Sequence, residues 1–161
     1  MVEVNIRIFF PKKETELFPD YHRHMDMLKE QLQGKVRVYL DETEDVPIYQ
    51  YYSLSLFGCI ETRYLRRMQI GKSVMHITEG ILEYARNRHL PRIFKEVVYR
   101  YLKSYLNSFD YLVVTDKTLE QELKREGVCK PQFYEIPEES EMKREQRANL
   151  WLNFYERIEA A

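Results

Sequence analysis

The chain is poor in the residues that mark several large classes of protein. It has two cysteines, Cys59 and Cys129, far apart in sequence. Neither sits in a CxxC or in a Cys/His pair at zinc spacing, so a disulfide scaffold and a structural zinc site are poor fits and both thiols are expected to be reduced. Glycine is scarce, with 5 in 161 residues. No GxGxxG and no GxxxxGK[ST] occurs, so the usual backbone grips on a phosphate are missing. GxSxG, the strand-to-helix elbow of a serine nucleophile, is missing as well. No apolar run approaches the roughly 18 residues a membrane span needs. Glu3 and Arg7 interrupt the apolar N-terminal stretch, which does not read as a signal peptide. Excess charge is also lacking: Lys+Arg 25 against Asp+Glu 26 gives a formal charge of -1. A broad nucleic-acid footprint is not expected, although a local basic face fits within a neutral total. There is no internal repeat and no low-complexity linker.

What the chain does have is bulk. Apolar residues are 44% of it, with 13 Tyr and 8 Phe. That suffices for one core in a domain of this size. The pattern alternates between periods of two and of about 3.6 residues. Strands are expected at 4–10, 35–40, 46–52, 73–78, 110–115 and 131–136, each rich in β-branched or aromatic residues. Helices are expected at 21–33, 54–69, 91–109, 117–126 and 138–158. Asp20 and Asp116 serve as caps, Gly34 and Gly127 as stops, and Pro137 opens the last helix. Residues 81–89 read as either helix or loop. On the second helix Leu56, Ile60, Tyr64 and Leu65 mark the apolar stripe. The alternation implies parallel strands joined by crossover helices. The expected fold class is α/β, a three-layer doubly wound, mostly parallel sheet of about six strands. Residues 1–137 form the domain, and the charged helix at 138–161 packs back on it or on a partner.

In such a sheet ligands bind beyond the carboxyl ends of the strands, near the point where the strand order reverses. The candidate cleft residues are therefore His76, Thr78, Glu79 and Gly80 after the fourth strand, with Thr115 and Asp116 after the fifth. His76 lies two residues before its strand's polar end, as a satisfied core residue or as a group facing a ligand. His22 and His24 are two apart on a helix and cannot chelate together. No metal site, no cofactor and no catalytic residue is expected from the motifs. The helix at 91–109 carries a broad apolar stripe (Ile93, Val97, Tyr101, Tyr105 beside Phe94, Val98, Leu102, Leu106, Phe109). Opposite it stand Arg92, Lys95, Arg100 and Lys103, with Tyr99 among them. This basic face is either merely solvated or a weak, salt-sensitive contact with a partner or an anionic membrane surface.

The motif order from GKSVMHITEG (71–80) through YRYLKSYLNSFDYLVVTDKTLEQELKREGV (99–128) to KPQFYEIP resembles the N-terminal, acceptor-side Rossmann-like domain of bacterial GT-B glycosyltransferases of the retaining, family-four kind. Asp110 to Thr115, Leu119, Leu123, Gly127 and Ile136 fall in that family's order, and DVPIYQYYSL resembles its short strand before a helix. The resemblance implies an acceptor-side role, with His76 hydrogen-bonding the acceptor and the donor nucleotide-sugar held elsewhere. The family's glycine-containing first loop is replaced here by PKKETELFPD, and no Glu-x7-Glu pair follows Glu135. The resemblance therefore implies a half-site that needs a second glycosyltransferase chain for sugar transfer, in the cytoplasm and with weak membrane association. The alternative is a non-catalytic α/β interaction module, homodimeric or not, that presents Tyr49, Tyr51, Tyr52, Tyr99, Trp151, Phe154 and Tyr155 as contact area.

Overall fold

A computed structural model describes residues 3–9, 18, 20–40, 45–52, 56–77, 91–138 and 140–161. The elements follow in the order β1 (Val4–Phe9), α1 (Asp20–Gln31), β2 (Val36–Leu40), β3 (Ile48–Tyr51), α2 (Leu56–Met68), β4 (Lys72–Ile77), α3 (Arg92–Leu106), β5 (Tyr111–Val114), α4 (Lys117–Arg125), β6 (Gln132–Glu135) and α5 (Arg144–Ala160). The six strands form one sheet in the order β2-β1-β3-β4-β5-β6, and every neighbouring pair is parallel. The fold is a Rossmann-like three-layer α/β domain. Chain progression reverses between β1 and β3, which places the crevice of a doubly wound sheet at that junction.

Strand alternation sorts the two faces. Val4, Ile6 and Ile8 of β1 are buried while the residues between them are half-exposed. The register aligns Ile8 with Gln50, Gln50 with Val74 and His76 with Val113, so these residues share one face. That face lies under α1 and α5: Gln50 meets His24 of α1 and Tyr155 of α5. Tyr51, one step along β3, points the other way and donates to Glu61 of α2 (2.6 Å). Phe109 at the end of α3 packs on the same ring. Lys124 of α4 lies over Phe133 of β6. One layer is therefore α1 and α5, and the other is α2, α3 and α4. Gly71, in a left-handed conformation before β4, has the Val46 carbonyl 2.6 Å from where a Cβ would stand. Only glycine fits there.

Four expectations need correction. The last helix begins at Arg144, not near residue 138. Residues 140–142 form a turn, with Glu141 N–H bonded to the Glu138 carbonyl, and the first helical bond runs from Arg147 N–H to the Lys143 carbonyl. None of the described residues from 138 to 146 is buried, and a helix of this composition depends on such packing. Among the described residues of α2 the buried ones are Cys59, Thr62 and Leu65, whereas Ile60 and Tyr64 are exposed and the Leu56 side chain lies outside what is described. The small Cys59 and Thr62 allow close approach, and the Thr62 hydroxyl is satisfied by the Cys59 carbonyl and by Ser108 Oγ. On α3 the stripe is buried only at its C-terminal end, through Leu102, Tyr105 and Leu106, while Ile93, Phe94 and Val97 are exposed. The residues foreseen as aromatic contact surface are mostly core: Tyr49, Tyr51, Tyr52, Trp151, Phe154 and Tyr155 are all buried.

Candidate functional site

The carboxyl edge of the sheet carries a buried polar cluster that the apolar alternation of the strands does not require. It draws on four elements: His24 from α1, Gln50 and Tyr52 from β3 and its end, His76 from β4, and Arg147, Trp151 and Tyr155 from α5. All seven are buried. Tyr52 closes the floor at the β1/β3 reversal. Its backbone N–H bonds to the Phe9 carbonyl (2.9 Å), and its ring is packed edge-on by Phe18 and Tyr21.

Half of this cluster is a closed hydrogen-bond network. Gln50 Nε2 donates to the Tyr52 hydroxyl (2.8 Å), and the Tyr155 hydroxyl donates to Gln50 Oε1. His24 Nε2 lies 2.8 Å from the Tyr155 oxygen. A neutral ring protonated on Nε2 donates there and leaves only the Nδ1 lone pair unused. Burial first of all holds His24 well below its ordinary pKa, and the Arg147 charge adds to it. Burial likewise holds the Tyr155 phenol in its neutral form. The network is thus uncharged near neutral pH.

The other half is open. Neither ring nitrogen of His76 has a hydrogen-bond partner among the described residues, and the Trp151 indole N–H has none either. The rings of His76 and Trp151 meet edge-on at 5.2 Å, and Tyr52 stands 6.1 Å from His76. Burial, and then the Arg147 charge, push the His76 pKa down to about 3. His76 is therefore a neutral imidazole, one donor and one acceptor, neither met by a described residue. Arg147 is held at this edge by its Nε–H bond to the Pro137 carbonyl (3.0 Å), just past β6. It is 4% exposed and forms no ion pair with a described carboxylate. A guanidinium so placed favours an anion, because burying an uncompensated charge is costly. Chemically, the arrangement can hydrogen-bond a hydroxyl at His76 and neutralise a negative group at Arg147.

No family model, no curated protein and no solved structure matches this chain.

The remaining candidates separate into three groups. Thr115 is buried and follows β5, next to the strand that carries His76. Asp116 spends one carboxylate oxygen on the Leu119 N–H (2.8 Å) as the cap of α4. Thr78, Glu79 and Gly80 lie outside the described residues, as do the first loop at 11–17 and residues 81–89. Arg92, Lys95, Arg100 and Lys103 are exposed along α3, while Tyr99 is half-buried with its hydroxyl unpartnered among the described residues. Among the described residues no cluster of His, Cys, Asp and Glu could hold a metal ion, and no helix is long and apolar enough to cross a membrane.

Sequence reasoning missed His24, Gln50 and Arg147 as site residues and read Tyr52, Trp151 and Tyr155 as contact area. Gln50 carried a readable signal, a lone amide inside an otherwise apolar and aromatic strand. Arg147 carried none, because it sits in a run of charges indistinguishable from a solvated helix face.

Proposed function

We propose that this domain is the acceptor-binding side of a glycosyltransferase, with the nucleotide-sugar donor bound by a second unit. The observation that supports the reading most is the neutral, buried imidazole of His76 at the carboxyl end of β4, without a partner among the described residues, beside a buried arginine that pairs with no described carboxylate. A neutral imidazole hydrogen-bonds a sugar hydroxyl without demanding charge, and Arg147 suits an acceptor that also bears a phosphate or carboxylate. Tyr52 and Trp151 supply aromatic surface around that position, which suits the apolar faces of a sugar ring. In this reading His76 and Arg147 bind and orient, Thr115 lines the neighbouring strand end, and transfer takes place against the second unit. The work is done in the cytoplasm, near the membrane surface when α3 is engaged.

A thermal-shift panel tests this with free hexoses, hexose phosphates, uridine diphosphate and guanosine diphosphate as probes, on the wild type and on His76→Leu. Stabilisation by a hexose phosphate that disappears in His76→Leu supports the reading. A tighter effect from either nucleoside diphosphate, or no response to any sugar, overturns it.

A second reading has one observation of its own. Ile93, Phe94 and Val97 leave α3 with an apolar surface beside Arg92 and Lys95, and Ile93 is 77% exposed. Such a patch suits a protein contact, so the domain also fits a non-catalytic partner-binding module or a homodimer. Light scattering on the wild type and on Ile93→Glu/Val97→Glu separates the cases. A dimer that the double variant converts to monomer favours the module.

A further inference from the structure

The edge of the sheet opposite the candidate cleft carries a different feature. The last turns of α2 and α3 descend to the amino ends of β4 and β5, and a groove of about 480 Å³ lies between them. It is lined by Arg63, Arg66, Arg67, Arg100, Lys103 and Lys130, together with Ser104, Asn107 and Ser108. Six of these nine residues are cationic and none is acidic. The chain as a whole is 32% charged and almost balanced in sign. Nine residues drawn from it would carry about three charges of mixed sign.

Helix C-termini attract cations, and this accounts for part of the pattern. Two such termini supply only about half a negative charge each, against six positive charges. The surplus repels itself unless an anion joins it. Two of the cations are also fixed in place. Arg63 donates to Ser104 Oγ, and Arg66 Nη1 donates to the Asn107 carbonyl (3.0 Å). Asn107 in turn accepts from the backbone N–H groups of Cys129 and Lys130. These contacts tie α2, α3 and the approach to β6 into one rigid wall. Planar guanidinium groups held in this way match phosphate oxygens with little further ordering.

We infer that the groove between the C-terminal halves of α2 and α3 binds a ligand carrying two or more adjacent phosphate groups. A single phosphate cannot reach all six cations, whereas a chain of phosphates in a groove of this size can. The ligand is either a soluble polyphosphate, free or attached to a nucleoside, or a phosphorylated lipid headgroup. The site is separate from the cleft around His76 and does not depend on how that cleft is used.

The test is calorimetric titration of the full chain with tripolyphosphate, with sulfate as the single-anion control, and co-sedimentation with phosphatidylcholine vesicles with and without phosphatidylinositol 4,5-bisphosphate, whose headgroup carries two adjacent phosphates. The variant is Arg67→Ser/Arg100→Ser/Lys130→Ser, whose replaced side chains make no hydrogen bond among the described residues. Lys130→Gln alone is a milder companion in case the triple variant does not fold. Tripolyphosphate is expected to bind at least about tenfold more tightly than sulfate, and the triple variant to lose at least about tenfold. The affinity is expected to fall as salt is raised. Binding of tripolyphosphate without vesicle binding identifies a soluble ligand. Capture only by vesicles containing phosphatidylinositol 4,5-bisphosphate, lost in the variants, identifies a headgroup. No binding of either probe below about 1 mM at physiological salt overturns the inference, as does equal binding by wild type and variants.

Discussion

Replacing His76 by leucine separates what this residue does for the fold from what it does for a ligand. In the native state its imidazole is buried, and its pKa is pushed down to about 3. In the unfolded chain it returns to about 6.5. As pH falls below about 6.5 the unfolded chain takes up a proton that the native chain refuses, so stability rises with pH across this window and is lost on acidification. Between pH 7.5 and pH 5 the loss from His76 alone is about 2 kcal/mol, or about 4–8 °C in Tm for a domain of this size. His24 shifts in the same direction and adds to it. Leucine abolishes the His76 share. At pH 7.5 the change removes two ring nitrogens that have no partner among the described residues, a relief of about 1–3 kcal/mol. It also removes the ring contacts with Trp151 and Tyr52, a loss of about 0.5–1.5 kcal/mol. The variant should therefore be as stable as the wild type or slightly more stable at pH 7.5, and visibly more stable at pH 5. Urea denaturation followed by circular dichroism at the two pH values measures both numbers. A variant that loses more than about 3 kcal/mol at pH 7.5, the scale of a core truncation, would refute the reasoning. So would an unchanged difference between the two pH values.

Other perturbations follow from the same geometry. Tyr155→Phe removes the hydroxyl that serves both Gln50 and His24 and should cost about 1–3 kcal/mol in urea denaturation. Asp116→Ala deletes the cap on the Leu119 N–H and should cost about 1 kcal/mol, with earlier hydrogen exchange at the start of α4. Gly71→Ala forces a side chain into a left-handed residue and against the Val46 carbonyl; a drop of several degrees in Tm is expected, larger than for Gly34→Ala, where nothing lies within 4 Å.

Much of the fold was legible because its strands are compositionally plain. The runs VNIRIF, SVMHI and YLVV are apolar and β-branched, and each is bounded by a proline, a glycine or an acidic cap. Alternation with helical segments then leaves little choice but a parallel sheet. The errors arose where packing overrides pattern. On α2 the pattern favours Ile60 and Tyr64, but Cys59 and Thr62 fit closer to the sheet. The described residues among 138–143 lie outside the helix, and none of them is buried. The candidate site was half legible. His76 stands out as a polar residue in a buried strand. Its neighbours do not, since Arg147 and Tyr155 reach it only because α5 crosses back over β1 and β3. That return is a tertiary fact with no local signature.

The central claim is that the imidazole of His76 is a neutral, unspent hydrogen-bonding group at the edge where a hydroxylated ligand binds. Nitrogen-15 NMR of the histidine rings reads it directly. The account expects His76 to stay neutral from pH 7.5 down to pH 5 and its ring signals to move on addition of a hexose phosphate, while those of His22 stay put. Protonation of His76 near pH 6.5, or ring signals indifferent to every sugar and sugar phosphate tried, would contradict it.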